Sequence, residues 1–463
     1  MDPLFHLLNI LRTPSSASAP PPQTPYHHPP LAMAVFSLIL LTKSQTLKMA
    51  LEQSHQLHFL VIPIGSPGHY IPTIDMAKLL AQHGVRVAIV TTPVNALRFG
   101  SILDQAIQSG LLISFLEFQL PYMKFGIPEG CESMDDLPNM GLALDLFHAH
   151  SSLQQEVEQY IEKLHPKPSC ILSGSFLLWT AETANKFQIP RIMFDGMNCF
   201  TQMCNQVLYH SKVYESVGPL SLCHKDALEK VRRGNRSSIN KDECIKWLDS
   251  QENSSVIYAC LGSISRVEPV QLIELALALE SSKIPFIWVV RAGHKTEKIE
   301  KWIDKEGFEG RTKDRALLIH RWSPQVLVLS HPAIGGFLTH CGWNSALEGI
   351  SAGVMVTWPQ FQEQFYNEKL LVQVLRIGVS VGAQKFVHLG EEEKSGVVVK
   401  SEAFRKAIEM VMEDAKESED RRKRAKELGK MANEAIEEGG SSHLNITRLI
   451  QDIRNQSSTK NSS

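Results

Sequence analysis

Two short runs in this 463-residue chain combine residue types that could do chemistry. The first is Gly335-Gly-Phe-Leu-Thr-His340-Cys-Gly342-Trp343-Asn344-Ser345-Ala-Leu-Glu348-Gly349. A strand ending at His340, a tight turn allowed by Gly342 and a helix beginning near Asn344 or Ser345 would leave free N–H groups and a positive dipole end exposed. That arrangement suits a phosphate without a metal. The competing reading is structural, because Ser345 to Glu348 is also a capping-box spacing. A metal site built from His331, His340 and Cys341 is weakly supported, since the adjacent histidine and cysteine lack further spaced ligands. The second run, Gly65-Ser-Pro-Gly68-His69, lacks GxGxxG, and no GxxxxGK[ST] occurs in the chain. It offers a histidine at the start of a helix.

Both runs lie where an α/β sheet would place them. From His58 onward, apolar β-branched runs (58–64, 85–91, 112–118, 169–172, 191–194) alternate with amphipathic stretches of helical length (71–82, 94–108, 142–164, 176–187). The polar stretch from about Ser221 to Lys241 interrupts the pattern and reads as a linker. Alternation then resumes with strands at 255–261, 285–291, 316–320, 336–339 and 354–358 and helices at 268–281, 344–352 and 364–374. Two doubly wound parallel sheets in tandem are expected, with ligands at the carboxyl ends of their strands. The last sixty residues read as charged helix, and the run from Asp420 to Lys426 as a solvated face.

Composition narrows the function classes. Hydrophobic residues make up 43%, charged residues 21% and aromatics 7%, which is globular. With 47 Lys and Arg against 49 Asp and Glu, no global basic field exists for nucleic acid or an anionic membrane. The eight cysteines contain no CxxC pair, which fits a reducing compartment. The longest uncharged apolar stretch, Leu31 to Thr42, is shorter than the ~20 residues of a membrane span. The expectation is a soluble, cytoplasmic, monomeric protein with small-molecule partners. For residues 1–48, rich in Pro and Ser, a signal peptide and a transit peptide compete with a disordered extension ahead of an internal start at Met49; the extension is the preferred reading.

The motifs then become specific. Trp322-Ser-Pro-Gln325, His331-Pro, Thr339-His340-Cys-Gly-Trp343-Asn344-Ser345, Leu347-Glu348, Ala352-Gly353 and Trp358-Pro to Glu363-Gln364 together resemble the signature box of plant family-1 UDP-sugar glycosyltransferases. The resemblance extends from about His58 to Arg448 and is nearest the flavonoid, terpenoid and hormone glucosyltransferase subgroup. It implies a GT-B fold, two Rossmann-like domains facing a cleft, with the acceptor on the first and UDP-glucose on the second as co-substrate, no cofactor and no metal. By resemblance, Trp322 would stack on the uracil and Gln325 and Glu348 would bond the ribose, with Ser323 and Gly342 counted in the same UDP-sugar site. His340, Asn344 and Ser345, with Gly262-Ser263, would meet the diphosphate, and Trp343, Glu363 and Gln364 the sugar. Trp322 and Trp343 as core aromatics remain the alternative. His69 falls on the family's base position and would deprotonate the acceptor in an inverting displacement. The implied division is an extension 1–48, an acceptor domain 49–220, a linker 221–241, a donor domain 242–440 and a C-terminal helix and tail 441–463.

Three departures from the family pattern stand out. Gly174 occupies the place of an Asp that partners the base, a loss that by analogy with a hydrolase triad would lower the rate ~10⁴-fold. Asp195 is the nearest substitute, against the reading of a solvated or capping carboxylate. Between Tyr214 and Gly218 the family carries roughly eighty more residues, so the first sheet has five strands instead of seven, which would expose an edge and apolar helix faces. The box is also one residue short at Ala352-Gly-Val-Met355, which is expected to shift the strand register ahead of Glu363. Hence the alternative to an active glucosyltransferase is an impaired or non-catalytic UDP-sugar-binding homologue, or an incomplete gene product.

Overall fold

The computed structural model describes residues 56–196, 238–291, 296–361, 363–384 and 398–460. The N-terminal extension, most of the linker and the Val217–Gly218 junction lie outside the described residues. The first sheet contains β1 (His58–Ile62), β2 (Arg86–Thr91), β3 (Ile113–Glu117), β4 (Cys170–Ser173) and β5 (Arg191–Met193), in the order β3-β2-β1-β4-β5. The second contains β6 (Val256–Cys260), β7 (Phe286–Val290), β8 (Ala316–His320), β9 (Ile334–Thr339), β10 (Val354–Thr357) and β11 (Gly378–Ser380), in the order β11-β10-β9-β6-β7-β8. Every pairing is parallel. Strands β6 and β7, and β1 beyond its first residue His58, are buried along their length because helices cover both faces of a parallel sheet.

These orders fix where a ligand can enter. The chain reverses its direction of travel across the first sheet between β1 and β4, and across the second between β6 and β9. The loops that follow those four strands therefore diverge and leave a crevice. They carry Gly65–His69, Gly174–Ser175, Gly262–Ser263 and His340–Gly342.

Several boundaries differ from the expectations. The helix after β1 begins at Pro67, not Ile71, with proline in its first turn, where a missing N–H is harmless. It continues through Pro72, which has no N–H for the Gly68 carbonyl four residues earlier. The expected helix 142–164 is two helices, Ala143–Ser151 and Gln154–Lys163. At the break the Ser151 and Ser152 hydroxyls donate to the Phe147 and Ala149 carbonyls, local bonds that compete with continuous helix. Strand β11 was not expected, because three residues beginning with glycine give no apolar run to read.

The ladder that follows the shortened box is uninterrupted. Val354 to Thr357 pair with Gly336 to Thr339 without interruption, and the Trp358 N–H continues the ladder to the Thr339 carbonyl at 2.9 Å. The turn before the strand passes through Gly353, whose φ of +145° is a conformation essentially restricted to glycine.

The C-terminal elements divide between the domains. Helix Ser401–Met412 puts Phe404, Ala407, Ile408 and Val411 into the second core. The final helix, Ser441–Lys460, returns to the first domain, where Ile446, Ile450 and Ile453 join the core that contains Phe59, Leu80 and Ile89. Ile450→Ala is therefore expected to destabilise the first domain by about 3 kcal/mol, the usual scale for a large-to-small core change. Urea unfolding monitored against a second-domain probe would check this, and an unchanged midpoint would show the helix to be dispensable for that core.

Candidate functional site

One cavity of about 920 Å³ lies between the domains, and thirteen of the residues singled out from sequence line it. From the first domain comes His69. From the second come Ser263, Trp322, Ser323, Gln325, His340, Gly342, Trp343, Asn344, Ser345, Glu348, Glu363 and Gln364. Asp195 is not on the wall, though its neighbour Gly196 is.

The phosphate-type site forms at the start of helix Trp343–Ala352. Its N-cap is Gly342, which has no side chain to satisfy the first N–H groups. This excludes the capping-box reading: Ser345 is the third helical residue, not the cap, and Glu348 lies a full turn further on. Ser345 and Glu348 instead meet through Gln325, whose Nε2 donates to Ser345 Oγ (3.1 Å) and Glu348 Oε2 (2.7 Å). A buried, hydrogen-bonded carboxylate at this position has capacity left to accept from ligand hydroxyls.

His340 lies beside that helix start, between two glycines. A Cβ built on Gly262 would fall 2.3 Å from His340 Cε1, and one on Gly342 would fall 2.3 Å from Nε2. Strands β6 and β9 are in register up to Cys260 and Thr339, which brings the two following loops side by side. Burial, reinforced by the positive field of Arg291, pushes the His340 pKa down to about 4. The ring is therefore neutral near pH 7 and can act toward a phosphate as a hydrogen-bonding group, not as a charge.

Two cations of this half line the cavity, Arg321 and Arg291, and the sequence reading selected neither as a site residue; the one beside the His340 loops is Arg291. It follows β7, lines the cavity and donates to the Gly262 carbonyl at 3.1 Å. Its signal was a lone charge at the carboxyl end of the apolar strand Phe286–Val290, where such sheets bind ligands. His331, by contrast, faces Asp249 at 3.1 Å and does not line the cavity. Among the described residues no three of His, Cys, Asp and Glu gather as a metal site.

The two tryptophans do more than one thing. Trp322 and Trp343 both line the cavity, while Trp322 also packs on the first-domain core and Trp343 on the second. Gln364 is buried, and its Oε1 accepts from the Gln360 and Phe361 N–H groups at 2.9 and 3.3 Å. What it can offer a ligand is its NH₂ donor. Glu363 is held above the ordinary carboxylate pKa by burial.

On the opposite wall, His69 is the third residue of helix Pro67–Gln82. Neighbouring groups enclose it enough that burial holds its pKa below the usual histidine value, against an opposing pull from Asp195. A neutral imidazole near pH 7 is the protonation state a general base needs. Further along, Met134, Leu144, Phe147 and Phe176 form an apolar stretch of the cavity wall. The domains also touch directly. Asn344 Nδ2 donates to the Gly68 carbonyl left open by Pro72 (2.7 Å), and Arg266 donates to the carbonyls of Leu137 and Pro138.

Two Rossmann-like domains facing a cleft, with a helix N-terminus on one side and a histidine on the other, define a GT-B nucleotide-sugar transferase. The family model described as "UDP-glucoronosyl and UDP-glucosyl transferase" matches residues 236–417. UDP-glycosyltransferase 73C11 of Barbarea vulgaris is 42% identical over 488 positions, covering 88% of this chain and 99% of the relative. UDP-glycosyltransferase 73C6 of Arabidopsis thaliana is 42% identical over 495 positions, covering 89% and 100%. Among solved structures, Glycyrrhiza uralensis UGT73P12 complexed with glycyrrhetinic acid 3-O-monoglucuronide aligns with a TM-score of 0.80 at 29% identity, covering 88% of this chain and 98% of that one. Arabidopsis thaliana UGT89C1 complexed with UDP-L-rhamnose aligns with a TM-score of 0.71 at 30% identity, covering 86% and 99%. The chain belongs to the plant family-1 UDP-glycosyltransferases, enzymes that transfer a sugar from a UDP-sugar to a small acceptor. Among the described residues no helix is long and apolar enough to cross a membrane.

Proposed function

We propose that this enzyme transfers glucose from UDP-glucose to a hydroxyl of a small apolar aglycone of flavonoid, terpenoid or hormone type, with inversion and with His69 as general base. The observation that carries the reading is the single cavity with His69 on one wall and the helix start at Trp343 on the other. In the reaction His69 takes the acceptor proton as the acceptor oxygen attacks the anomeric carbon. The bond from that carbon to the diphosphate breaks, and UDP leaves with its charge facing the helix N–H groups, Ser263 and Arg291. Trp322 would stack on the uracil, Gln325 and Glu348 hold the ribose, and Trp343, Glu363 and the Gln364 amide read the sugar hydroxyls. The apolar wall suits a ring system, in keeping with the glycyrrhetinic acid conjugate bound by UGT73P12.

A second reading is that the chain binds a UDP-sugar but turns it over poorly. Gly174 supports it, as does the alignment with the Barbarea relative. Eighty-eight per cent of 463 residues is about 407, so some 80 of the 488 aligned positions have no residue in this chain. We place that gap near Val217. Strand β5 is outermost in its sheet among the described residues, and Met193, Phe176 and Leu178 are exposed there. Incubating the purified chain with labelled UDP-glucose and a panel of flavonols and triterpenoids decides between the two. Labelled glycoside is the expected result; UDP binding by calorimetry with no product would favour the second reading.

A further inference from the structure

An imidazole that accepts a proton at one nitrogen works best when a carboxylate near the other fixes its tautomer and stabilises the imidazolium. No residue of the β4 loop supplies one, because Gly174 has no side chain. The space beside it is nevertheless occupied. A Cβ built on Gly174 would fall 2.5 Å from Ile64 Cδ1 and 3.7 Å from Asp195 Oδ1. A carboxylate at 174 would thus enter a region that Ile64 and Asp195 already fill.

Asp195 reaches this region from the neighbouring strand end, two residues beyond β5, and is held in place. Its Oδ1 accepts from the Ser175 N–H at 2.8 Å. The next residue, Gly196, lies against the base: a Cβ there would be 3.9 Å from His69 Nδ1 and 3.1 Å from the Gly68 carbonyl. The Nδ1 edge of His69 therefore faces the 195–196 segment, which leaves Nε2 as the nitrogen for the acceptor hydroxyl. Among the described residues, Asp195 is the charged group that acts on His69. Arg191, the first residue of β5, directs its guanidinium to the Ser173 and Thr180 hydroxyls and the Gly174 carbonyl, and its charge also interacts with Asp195. From the second domain, Arg291, Arg321, Glu348 and Glu363 also line the cavity, and the Asn344 amide donates to the Gly68 carbonyl next to His69.

We infer that Asp195 is the positioning residue for His69, supplying from the end of β5 the carboxylate that Gly174 cannot. It keeps the proton on Nδ1 and offsets the positive charge when Nε2 takes the acceptor proton. The role rests on His69 being the base, and the alternative is a carboxylate that only caps Ser175.

Asp195→Asn separates these roles, because its amide oxygen still accepts from Ser175 while the charge is gone. The experiment uses the whole chain with carbon-13-labelled histidine rings, the His69 signal being assigned by its loss in His69→Gln. In Asp195→Asn the His69 pKa should fall further, and the acid limb of the rate profile should move down with it. In the same variant kcat should drop on the order of 10³- to 10⁴-fold with KM for UDP-glucose within about twofold. Native titration and native kcat in Asp195→Asn, with losses only in Asp195→Ala, would overturn the inference and leave a cap. A native chain with no turnover, whose His69 titration still responds to Asp195→Asn, would overturn the transfer reading and keep the coupling.

Discussion

His69→Gln is expected to lower kcat for glycosyl transfer about 10²- to 10⁴-fold, the usual contribution of a positioned general base. Affinity for UDP should stay as it was. The two effects separate because His69 belongs to the first domain, whereas every residue proposed to hold UDP belongs to the second. The pH profile adds a sign. Burial holds the His69 pKa below the ordinary histidine value, so the neutral, proton-accepting form persists as pH falls through about 6.5 and is lost only lower down. The native enzyme should therefore keep its rate at pH 6.5 and lose it on further acidification, while His69→Gln should give a low profile without that limb. Calorimetry with UDP and initial rates over a pH series are the measurements. Equal losses in UDP affinity and kcat would show that His69 shapes the donor site and would remove it as the base.

Gly262→Ala should produce the other large effect, on donor affinity and stability together. The residue has φ +75°, where a Cβ costs about 1–2 kcal/mol, and the new methyl would fall 2.3–3.0 Å from three atoms of the His340 ring. Either the backbone unwinds or the imidazole leaves its place between the two glycines, and overpacking of this kind adds about 1–3 kcal/mol. Unfolding should shift by about 2–5 kcal/mol, and UDP should bind at least tenfold more weakly because the loop also presents Ser263. Gly84→Ala serves as a control. Its φ is +79° with nothing within 4 Å of the added methyl, so it carries the backbone strain without the collision. If the two variants lost stability equally and both bound UDP normally, the contact with His340 would not matter to the donor.

The donor half was legible because its chemistry is nearly contiguous. His340, Gly342, Trp343, Asn344, Ser345 and Glu348 fall within one strand–turn–helix, and the strand order explains why Ser263, far away in sequence, joins them. Arg291 was harder to see because a charge at a strand end reads equally well as solvated, and only the fold shows it enclosed. Strand β11 was too short to leave a periodic trace. Helix Ser441–Lys460 was recognisable as a helix, but its partner was not: the isoleucines at 446, 450 and 453 mark a buried face without saying which domain buries it.

The carbonyl that Pro72 leaves unmatched in the acceptor-side helix is met by Asn344, at the mouth of the nucleotide site. One amide therefore bridges the helix that carries the base and the helix that faces the diphosphate. Should occupancy of one half shift this contact, thermodynamic reciprocity requires that whatever UDP does to aglycone affinity, the aglycone does equally to UDP.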